Sequence, residues 1–133
     1  MNLLIIGSGG REHAIAWKIS QSNKVKNIYV TPGNPGINLE EKVSLIEIDN
    51  PTIKDYIGIA KEKSIDLTIV GPEAPLVEGI VDEFNKNNLK IFGPNKLASQ
   101  LEGSKDFCKN ILNSGNVRTA KHRSFKESIS AIK

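Results

Sequence analysis

Short runs of apolar, mostly β-branched residues alternate along this chain with stretches in which apolar residues recur every three or four positions. The stretches predict helices near residues 12–21, 51–63 and 76–87. The short runs predict strands at Leu3–Ile6, Ile28–Val30, Val43–Ile48, Leu67–Val70 and Lys90–Phe92. Strands that alternate with helices build a parallel sheet through right-handed crossovers, so the pattern predicts a doubly wound α/β fold.

The second predicted helix has a clear start signal and one apolar face. Asn50 is the expected N-cap, and Pro51 suits the first helical position, where its missing N–H costs nothing. Apolar positions then recur at helical spacing and predict a buried face. They are Ile53, Tyr56, Ile57 and Ala60.

The pattern changes after the last predicted strand. A short helix over Lys96–Leu101 is followed by a break at Glu102–Gly103. Ser104 is then the expected N-cap of a helix over Lys105–Asn113, which Gly115–Asn116 should end. Its inward-facing residues should be Phe107, Cys108, Ile111 and Leu112.

The last residues predict an unfinished unit. An extended piece is expected around His122–Phe125, and an amphipathic segment begins at Glu127–Lys133 and stops in mid-pattern. We therefore predict a complete domain over residues 1–102 and the start of a second, truncated domain over residues 103–133.

The first predicted strand runs directly into a glycine-rich turn, Gly7–Arg11, which opens the first helix. Glycines let a ligand approach the backbone, and a helix N-terminus presents free N–H groups with a partial positive charge. Arg11 adds a planar guanidinium that can grip a phosphate at two points. The turn predicts a site for a phosphorylated small molecule, with Gly7, Gly9, Gly10 and Arg11 as candidates.

Two further glycine- and proline-rich loops, Pro32–Gly36 and Gly71–Pro75, also follow predicted strands and should meet the first turn at one edge of the sheet. Asn34 could bind a ligand or simply tolerate a left-handed turn. In the third loop two prolines stiffen the backbone around Glu73, whose carboxylate suits a hydroxyl pair or an amine; the alternative is a solvated side chain. The candidates from these loops are Asn34, Gly71, Pro72 and Glu73.

A dinucleotide fingerprint is disfavoured at two positions. The motif G-x-G-x-x-G would place its third glycine where Glu12 stands, and a carboxylate there would repel the pyrophosphate. The loop after Ile28–Val30 also lacks the acidic residue that would hold the ribose of the cofactor. A nicotinamide-dependent oxidoreductase fragment is therefore kept only as a minor alternative.

Several single residues have both a structural and a functional interpretation. Glu12 should stabilise the helix dipole, and His13 should serve packing or capping. Trp17 is expected in the core, and Cys108 is expected to be a buried structural thiol. Lys105 places a cation in a first helical turn, which is unfavourable without an anionic partner. No metal-ligand spacing, Ser/His/Asp grouping or Walker loop is found in the sequence.

Composition excludes several classes of function. Of the 18 basic and 15 acidic residues, residues 104–133 hold seven basic and two acidic ones, but these are dispersed and lack aromatic platforms, so nucleic acid is not an expected partner. The single cysteine fits a reducing compartment. Neither a signal peptide nor a membrane span is seen, and a cytoplasmic location is expected.

Five segments together resemble one family, glycinamide ribonucleotide synthetase, also called phosphoribosylamine–glycine ligase, over the whole chain. They are LLIIGSGGREHAIAWK, TPGNPG, DLTIVGPEAPLVEGIVD, KIFGP and QLEGSKDFCKNIL. GREHA combined with VGPEAPL is far more specific than a glycine turn alone. The departures from the family pattern are minor. Ser8 stands where the family usually has Asn, and Asn34-Pro35 stands in place of a small residue such as Ala.

The resemblance implies a Rossmann-like N-terminal domain followed by an ATP-grasp domain, in an enzyme of purine biosynthesis. ATP would phosphorylate the carboxylate of glycine, and the amine of 5-phosphoribosylamine would displace phosphate to give glycinamide ribonucleotide. The implied partners are these small molecules, with Mg²⁺ or Mn²⁺ as the metal. Gly7–Arg11 would bind phosphate or ribose, Glu73 would face the ribose or its amine, and Lys105 would reach ATP phosphates.

Members of this family are about three times longer than this chain, so we expect the metal ligands, the main nucleotide lysine and the glycine pocket to lie beyond Lys133. No catalytic or metal-binding residue is expected within residues 1–133, and these residues alone should be inactive as a ligase. The alternative is a free-standing sugar-phosphate-binding module, which would keep Arg11 and Glu73 but need no ATP.

Overall fold

The structure, a computed structural model, describes residues 1–127, 130 and 132. Strands and helices alternate along these residues, and a 3₁₀ turn lies at Ile37–Leu39. The strands are β1 (Asn2–Gly7), β2 (Asn27–Pro32), β3 (Val43–Leu45), β4 (Leu67–Val70) and β5 (Ile91–Phe92). The helices are α1 (Gly10–Ser20), α2 (Ile53–Glu62), α3 (Glu73–Glu78), α4 (Ile80–Lys86), α5 (Lys96–Gly103) and α6 (Lys105–Ser114).

The strands form one parallel sheet in the order β3-β2-β1-β4-β5. The chain moves outward from β1 to β3 and then returns to the other side of β1 to add β4 and β5. The predicted doubly wound α/β fold is therefore confirmed. The strand order reverses between β1 and β4, and open parallel sheets bind ligands at such a switch point, beyond the carboxyl ends of the strands.

Apolar side chains pack on both faces of the sheet in two separate clusters. Leu4 and Ile6 of β1 belong to one cluster with residues of α2 and α4. Leu3 and Ile5 belong to the other cluster, which includes Ala16 of α1. Burial on both faces explains why β1 reads as a continuous apolar run instead of an alternating one.

Helix α2 begins later than its sequence signals predict. Thr52 is the N-cap, and its backbone N donates to Asp55 Oδ2 at 2.8 Å. Asn50 has a positive φ of 46°, so the prediction of Asn50 as the cap and Pro51 as the first helical residue is wrong. The predicted apolar face is confirmed. Its buried members are Tyr56 and Ala60, and its half-buried members are Ile53 and Ile57.

Two other predicted elements are shorter in the structure. The expected helix over residues 76–87 is divided into α3 and α4 at Gly79, whose φ of 104° interrupts the helical hydrogen bonds. The expected strand Val43–Ile48 ends at Leu45, where its pairing with β2 ends as well. β3 is an edge strand of the sheet, so a single neighbour decides its length.

The prediction that Trp17 lies in the core is wrong. Its side chain is 52% exposed, whereas Glu12, Ala16 and Ser20 form the buried side of α1. These three residues are spaced four apart, and Trp17 lies one residue further, about 100° around the helix. A tryptophan next to a buried alanine therefore lies at the margin of the packed face.

The segment after β5 is more exposed than expected. Helix α6 is capped by Ser104 and ends at Gly115, as predicted, but it contains no buried residue. Its apolar side is half-buried at Phe107, Cys108 and Leu112 and exposed at Ile111. Within the described residues, His122–Phe125 forms no strand; the segment over residues 127–133 lies largely outside them. The division at residue 102 stays a prediction.

Candidate functional site

Three chain segments that follow β1, β2 and β4 meet at the carboxyl edge of the sheet. The N–H of Gly33 donates to the carbonyl of Gly7 at 3.1 Å, and the N–H of Gly71 donates to the carbonyl of Ile6 at 3.0 Å. The end of β1 therefore lies between the other two segments and bonds to both. This is the arrangement expected from the sequence, and it is located at the reversal of strand order.

The turn after β1 needs glycine at Gly7. Its φ is 132°, a conformation that side chains rarely adopt, and an added Cβ would lie 2.6 Å from Glu12 Cγ. Gly9 is the N-cap of α1, and Gly10 and Arg11 begin the helix with exposed surfaces. The turn thus presents backbone and one cation to solvent at the N-terminus of an 11-residue helix.

Glu12 is the buried centre of the edge. Its Oε2 accepts a hydrogen bond from the backbone N–H of Gly9 at 2.6 Å. Its Oε1 is buried and has no hydrogen-bond partner among the described residues. The carboxylate also fills the space beside Gly71, where an added Cβ would collide with it. One side chain therefore joins the turn after β1 to the turn after β4.

Arg11 lies between two carboxylates. Its Nε is 3.9 Å from Glu12 Oε1, and one terminal nitrogen is 3.9 Å from Glu73 Oε2. These distances exceed hydrogen-bond length. The Arg11 side chain is 70% exposed and that of Glu73 is 59% exposed. Both groups remain open to an incoming ligand, and the pair contributes little to stability because water screens it.

The segment after β2 is held by side chains rather than left open. Asn34 Nδ2 donates to the carbonyl of Ser8 at 2.7 Å, and Asn34 Oδ1 accepts from the N–H of Ile37 at 3.0 Å. His13 Nε2 lies 2.8 Å from Glu40 Oε1 and ties the same segment to α1. Asn34 therefore positions this part of the edge, and His13 has the structural role that the sequence favoured.

The third predicted loop is largely helical. Pro72 is the N-cap of α3, and Glu73 is the first helical residue. Pro75 lies in the first turn, where helical N–H groups have no internal partner, so its missing N–H costs no hydrogen bond. Glu73 is thus oriented by a helix rather than by a stiff loop, and it points towards Arg11.

The edge is an open surface that combines one guanidinium with two carboxylates. Among the described residues there is no enclosed cavity. In the same part of the chain, no group of three or more His, Cys, Asp or Glu side chains could hold a metal ion. The arrangement can donate and accept hydrogen bonds to a polar small molecule, but it contains no nucleophile activated by a neighbouring base.

Lys105 is separate from this edge in the contacts that the structure describes. It is the first residue of α6, directly after the Ser104 cap, and it is exposed. Asp106 shares the same turn and partly offsets the unfavourable position of the cation. No hydrogen bond or ion pair joins Lys105 to the three edge segments within residues 1–127.

Sequence reasoning placed Glu12 at the helix dipole but missed its contacts with Gly9 and Gly71. The Gly9–Glu12 spacing is that of a capping box, in which the third helical residue bonds back to the N-cap N–H. Gly9 has no side chain, so only the Glu12 half of the box forms, and the sequence carried only that part of the signal. The contact with Gly71 had no such signal, because it joins residues that are 59 positions apart and depends on the pairing of β1 with β4.

Family models and curated relatives of this chain point to the same enzyme family. Residues 1–102 match the family described as phosphoribosylglycinamide synthetase, N domain. Among curated proteins, a phosphoribosylamine–glycine ligase from Vibrio cholerae is 54% identical over 127 residues, covering 96% of this chain and 30% of the relative. The chain thus spans about 30% of the length of the curated relatives that it matches.

Solved structures share the fold. A phosphoribosylamine–glycine ligase from Thermotoga maritima superposes with a TM-score of 0.63 at 26% identity, covering 91% of this chain and 26% of that one. The biotin carboxylase subunit of pyruvate carboxylase superposes with a TM-score of 0.66 at 14% identity, covering 98% and 31%. At that identity the second likeness shows the fold alone.

Proposed function

Because this chain belongs to the phosphoribosylglycinamide synthetase N-domain family, we propose that it is the N-terminal part of a phosphoribosylamine–glycine ligase. In the proposed reaction, glycine carboxylate attacks the γ-phosphate of ATP, which yields an acyl phosphate and ADP. The amine of 5-phosphoribosylamine then attacks the acyl carbon and releases phosphate and a proton, giving glycinamide ribonucleotide. The observation that carries the proposal is the family match together with the paired Arg11 and Glu73 at the switch point.

Within this ligase, the sheet edge is proposed to hold the ribose phosphate part of the substrate. Glu73 would accept hydrogen bonds from hydroxyl or amine groups, and Arg11 would contact the anionic part of the ligand. Gly9, Gly10 and Gly71 let the ligand approach the backbone, while Asn34 and Pro72 shape the edge. Gly7 belongs to the same proposed site through its required left-handed turn.

ATP would be bound by the whole ligase, with Lys105 as the contribution of this chain. An exposed ammonium in the first turn of α6 suits a phosphate, because the helix dipole and the cation then act on the same anion. Mg²⁺, or Mn²⁺, is proposed to bind mainly through residues outside this chain. When bound, ATP supplies the phosphoryl group that activates glycine.

The setting of the enzyme follows from the same proposal. A ligase of purine biosynthesis acts on small molecules, so we propose a cytoplasmic location with neither nucleic acid nor membrane as a partner. Among the residues that the structure describes, no helix is long and apolar enough to cross a bilayer.

A free-standing sugar-phosphate-binding module is the second candidate. The proposed sugar-phosphate site draws on three segments of residues 1–102 and needs no contribution from Lys105. The two candidate functions differ in whether the protein binds ATP. In a longer ligase Lys105→Ala should weaken ATP binding and leave ribose phosphate binding unchanged, whereas a free module should show no ATP dependence at all.

The test is an amide-resolved NMR titration of residues 1–133 with glycinamide ribonucleotide, then ATP, then NAD. We expect saturable shifts at Gly9, Gly10, Arg11 and Glu73 with the ribonucleotide and none at these positions with NAD. Arg11→Gln should weaken the ribonucleotide about tenfold, because a charge-assisted contact is lost. Arg118→Gln, which removes an exposed arginine after α6, is the matched control and should change nothing.

Either of two results would contradict the proposed site. One is the absence of any saturable shift with the ribonucleotide in a folded sample. The other is a saturable response of the glycine turn to NAD, which would restore the oxidoreductase interpretation.

A further inference from the structure

The N-terminus of α1 already has an anion, and it comes from the protein. The Glu12 side chain is 5% exposed, and its Oε2 lies 2.6 Å from the backbone N of Gly9. That distance is typical of a strong, charge-assisted hydrogen bond. An N–H that would bind a ligand phosphate in a dinucleotide site is therefore already occupied.

The carboxylate also occupies volume. Cβ atoms added to Gly7, Gly9 or Gly71 would all meet Glu12 atoms, so its side chain fills the space between the turns after β1 and β4. In dinucleotide-binding folds the pyrophosphate lies against this turn, and the third motif position is a glycine that lets the helix pack closely on the strand. Here that position is Glu12, and its side chain fills the space beside the turn.

The charges around this turn also disfavour binding of a second anion. Glu12 and Glu73 contribute two negative charges at the edge, and Arg11 contributes one positive charge between them. A second anion at the Gly9 N–H would have to approach a buried carboxylate whose Oε1 has no partner among the described residues. Like charges at such a distance in a poorly solvated site repel strongly.

We propose that Glu12 is a specificity-determining residue that occupies the anion position at the N-terminus of α1 and so excludes a pyrophosphate from this turn. The inference deepens the proposed function, since it concerns the same sheet edge, and it states which part of a ligand this turn does not receive. Glu12 acts by occupying the position, so it is not a catalytic residue.

The test uses inorganic pyrophosphate as the probe and the amide signal of Gly9, whose N–H donates to Glu12, as the readout. Residues 1–133 with Glu12 intact should show no saturable shift at concentrations that saturate Glu12→Ala. The alanine variant should bind pyrophosphate at least about tenfold more tightly, because the Gly9 N–H is released and the like charge is removed.

Two further variants keep the test decisive. Glu12→Gln retains the size of the side chain and removes only the charge, so it keeps the test open where the alanine variant fails to fold. Its gain in pyrophosphate binding should be smaller than that of Glu12→Ala, because the amide still occupies the position. Glu62→Gln removes the same charge from the last residue of α2, near the start of β1, where Asn2 Nδ2 donates to the carbonyl of Lys63, and it should give no gain.

Three results would overturn the inference: saturable pyrophosphate binding at the Gly9 amide of the unaltered chain, no gain in either folded Glu12 variant, or an equal gain in Glu62→Gln. The ribonucleotide titration separates this inference from the proposed function. If the ribonucleotide does not bind, the proposed function fails, while the pyrophosphate measurements still decide the role of Glu12.

Discussion

At the scale of single residues, the structure of the carboxyl edge of the sheet depends on how closely Glu12 packs against the glycines around it. Gly71 has no positive φ, so its backbone would accept alanine, yet the space for a Cβ is taken by the Glu12 carboxylate. Glycine is therefore required at this position by a neighbour and not by its own conformation. Such a requirement can be removed by changing the neighbour.

We expect Gly71→Ala to lower the free energy of unfolding by about 1–3 kcal/mol, the usual cost of overpacking. In a Glu12→Ala background the same substitution should cost much less, since the colliding carboxylate is gone. Urea denaturation of the four proteins of this double-mutant cycle measures the coupling. An equal cost of Gly71→Ala in both backgrounds would show that the two residues do not compete for space.

At the scale of elements, helix boundaries are set by local hydrogen bonds that override generic start signals. Thr52 and Asp55 bond to each other through both backbone and side chain at the start of α2. Those bonds lower the pKa of Asp55 below 3.8, first through the Thr52 side chain and then through its backbone N–H. Asn50 and Pro51 are common start residues, but they lack this reciprocal pair.

The lowered pKa gives a pH dependence of stability. The unfolded chain binds the Asp55 proton more readily, so the contribution of the carboxylate is present above its unfolded pKa of 3.8 and is lost as pH falls through the lower folded value. We expect the melting temperature to fall more steeply between pH 5 and pH 2 in the unaltered chain than in Asp55→Asn. Asp49→Asn, in the preceding exposed loop, should keep the steep profile.

The break between α3 and α4 is a second element-scale feature. Gly79 caps both helices with a φ of 104°, and its N–H bonds to the carbonyls of Pro75 and Leu76. Gly79→Ala should therefore lower the free energy of unfolding by about 1–3 kcal/mol, the cost of a side chain in this conformation.

Gly58 in α2 is the matched control for this change. It has no neighbour within 4 Å of an added Cβ, so Gly58→Ala should leave stability equal or raise it by up to about 1 kcal/mol. Chemical denaturation measures both variants. If the two substitutions had the same effect, backbone conformation at Gly79 would not be the cause.

At the scale of the whole molecule, the polarity of the sheet concentrates chemistry at one edge. All strands are parallel, so every turn that follows a strand lies at the same end, and the turns after β1 and β4 lie side by side where the strand order reverses. Arg11 at the start of α1 and Glu73 at the start of α3 lie 3.9 Å apart there. Neither residue would face the other without this order of strands.

Lys105 tests the proposal for the longer ligase. In a full-length relative, replacing the lysine equivalent to Lys105 by alanine should weaken ATP binding about tenfold, because one charge-assisted phosphate contact is lost. Ribonucleotide binding should not change. Calorimetric titration with each ligand separates the two effects, and a loss of ribonucleotide affinity would place this lysine at the sheet edge instead.

The pattern of apolar and polar residues was sufficient for the fold class, the strand positions and the meeting of three turns at one edge. These properties follow from burial on two faces of β1 and from the alternation of strands and helices, which are encoded locally.

Tertiary packing decided the rest. Trp17 is exposed because the phase of α1 on the sheet is set by Glu12 and Ala16, and Gly71 is required because β4 lies beside β1. Contacts between residues far apart in the chain have no local signal, so only the folded arrangement could reveal that the buried carboxylate of Glu12 joins two turns.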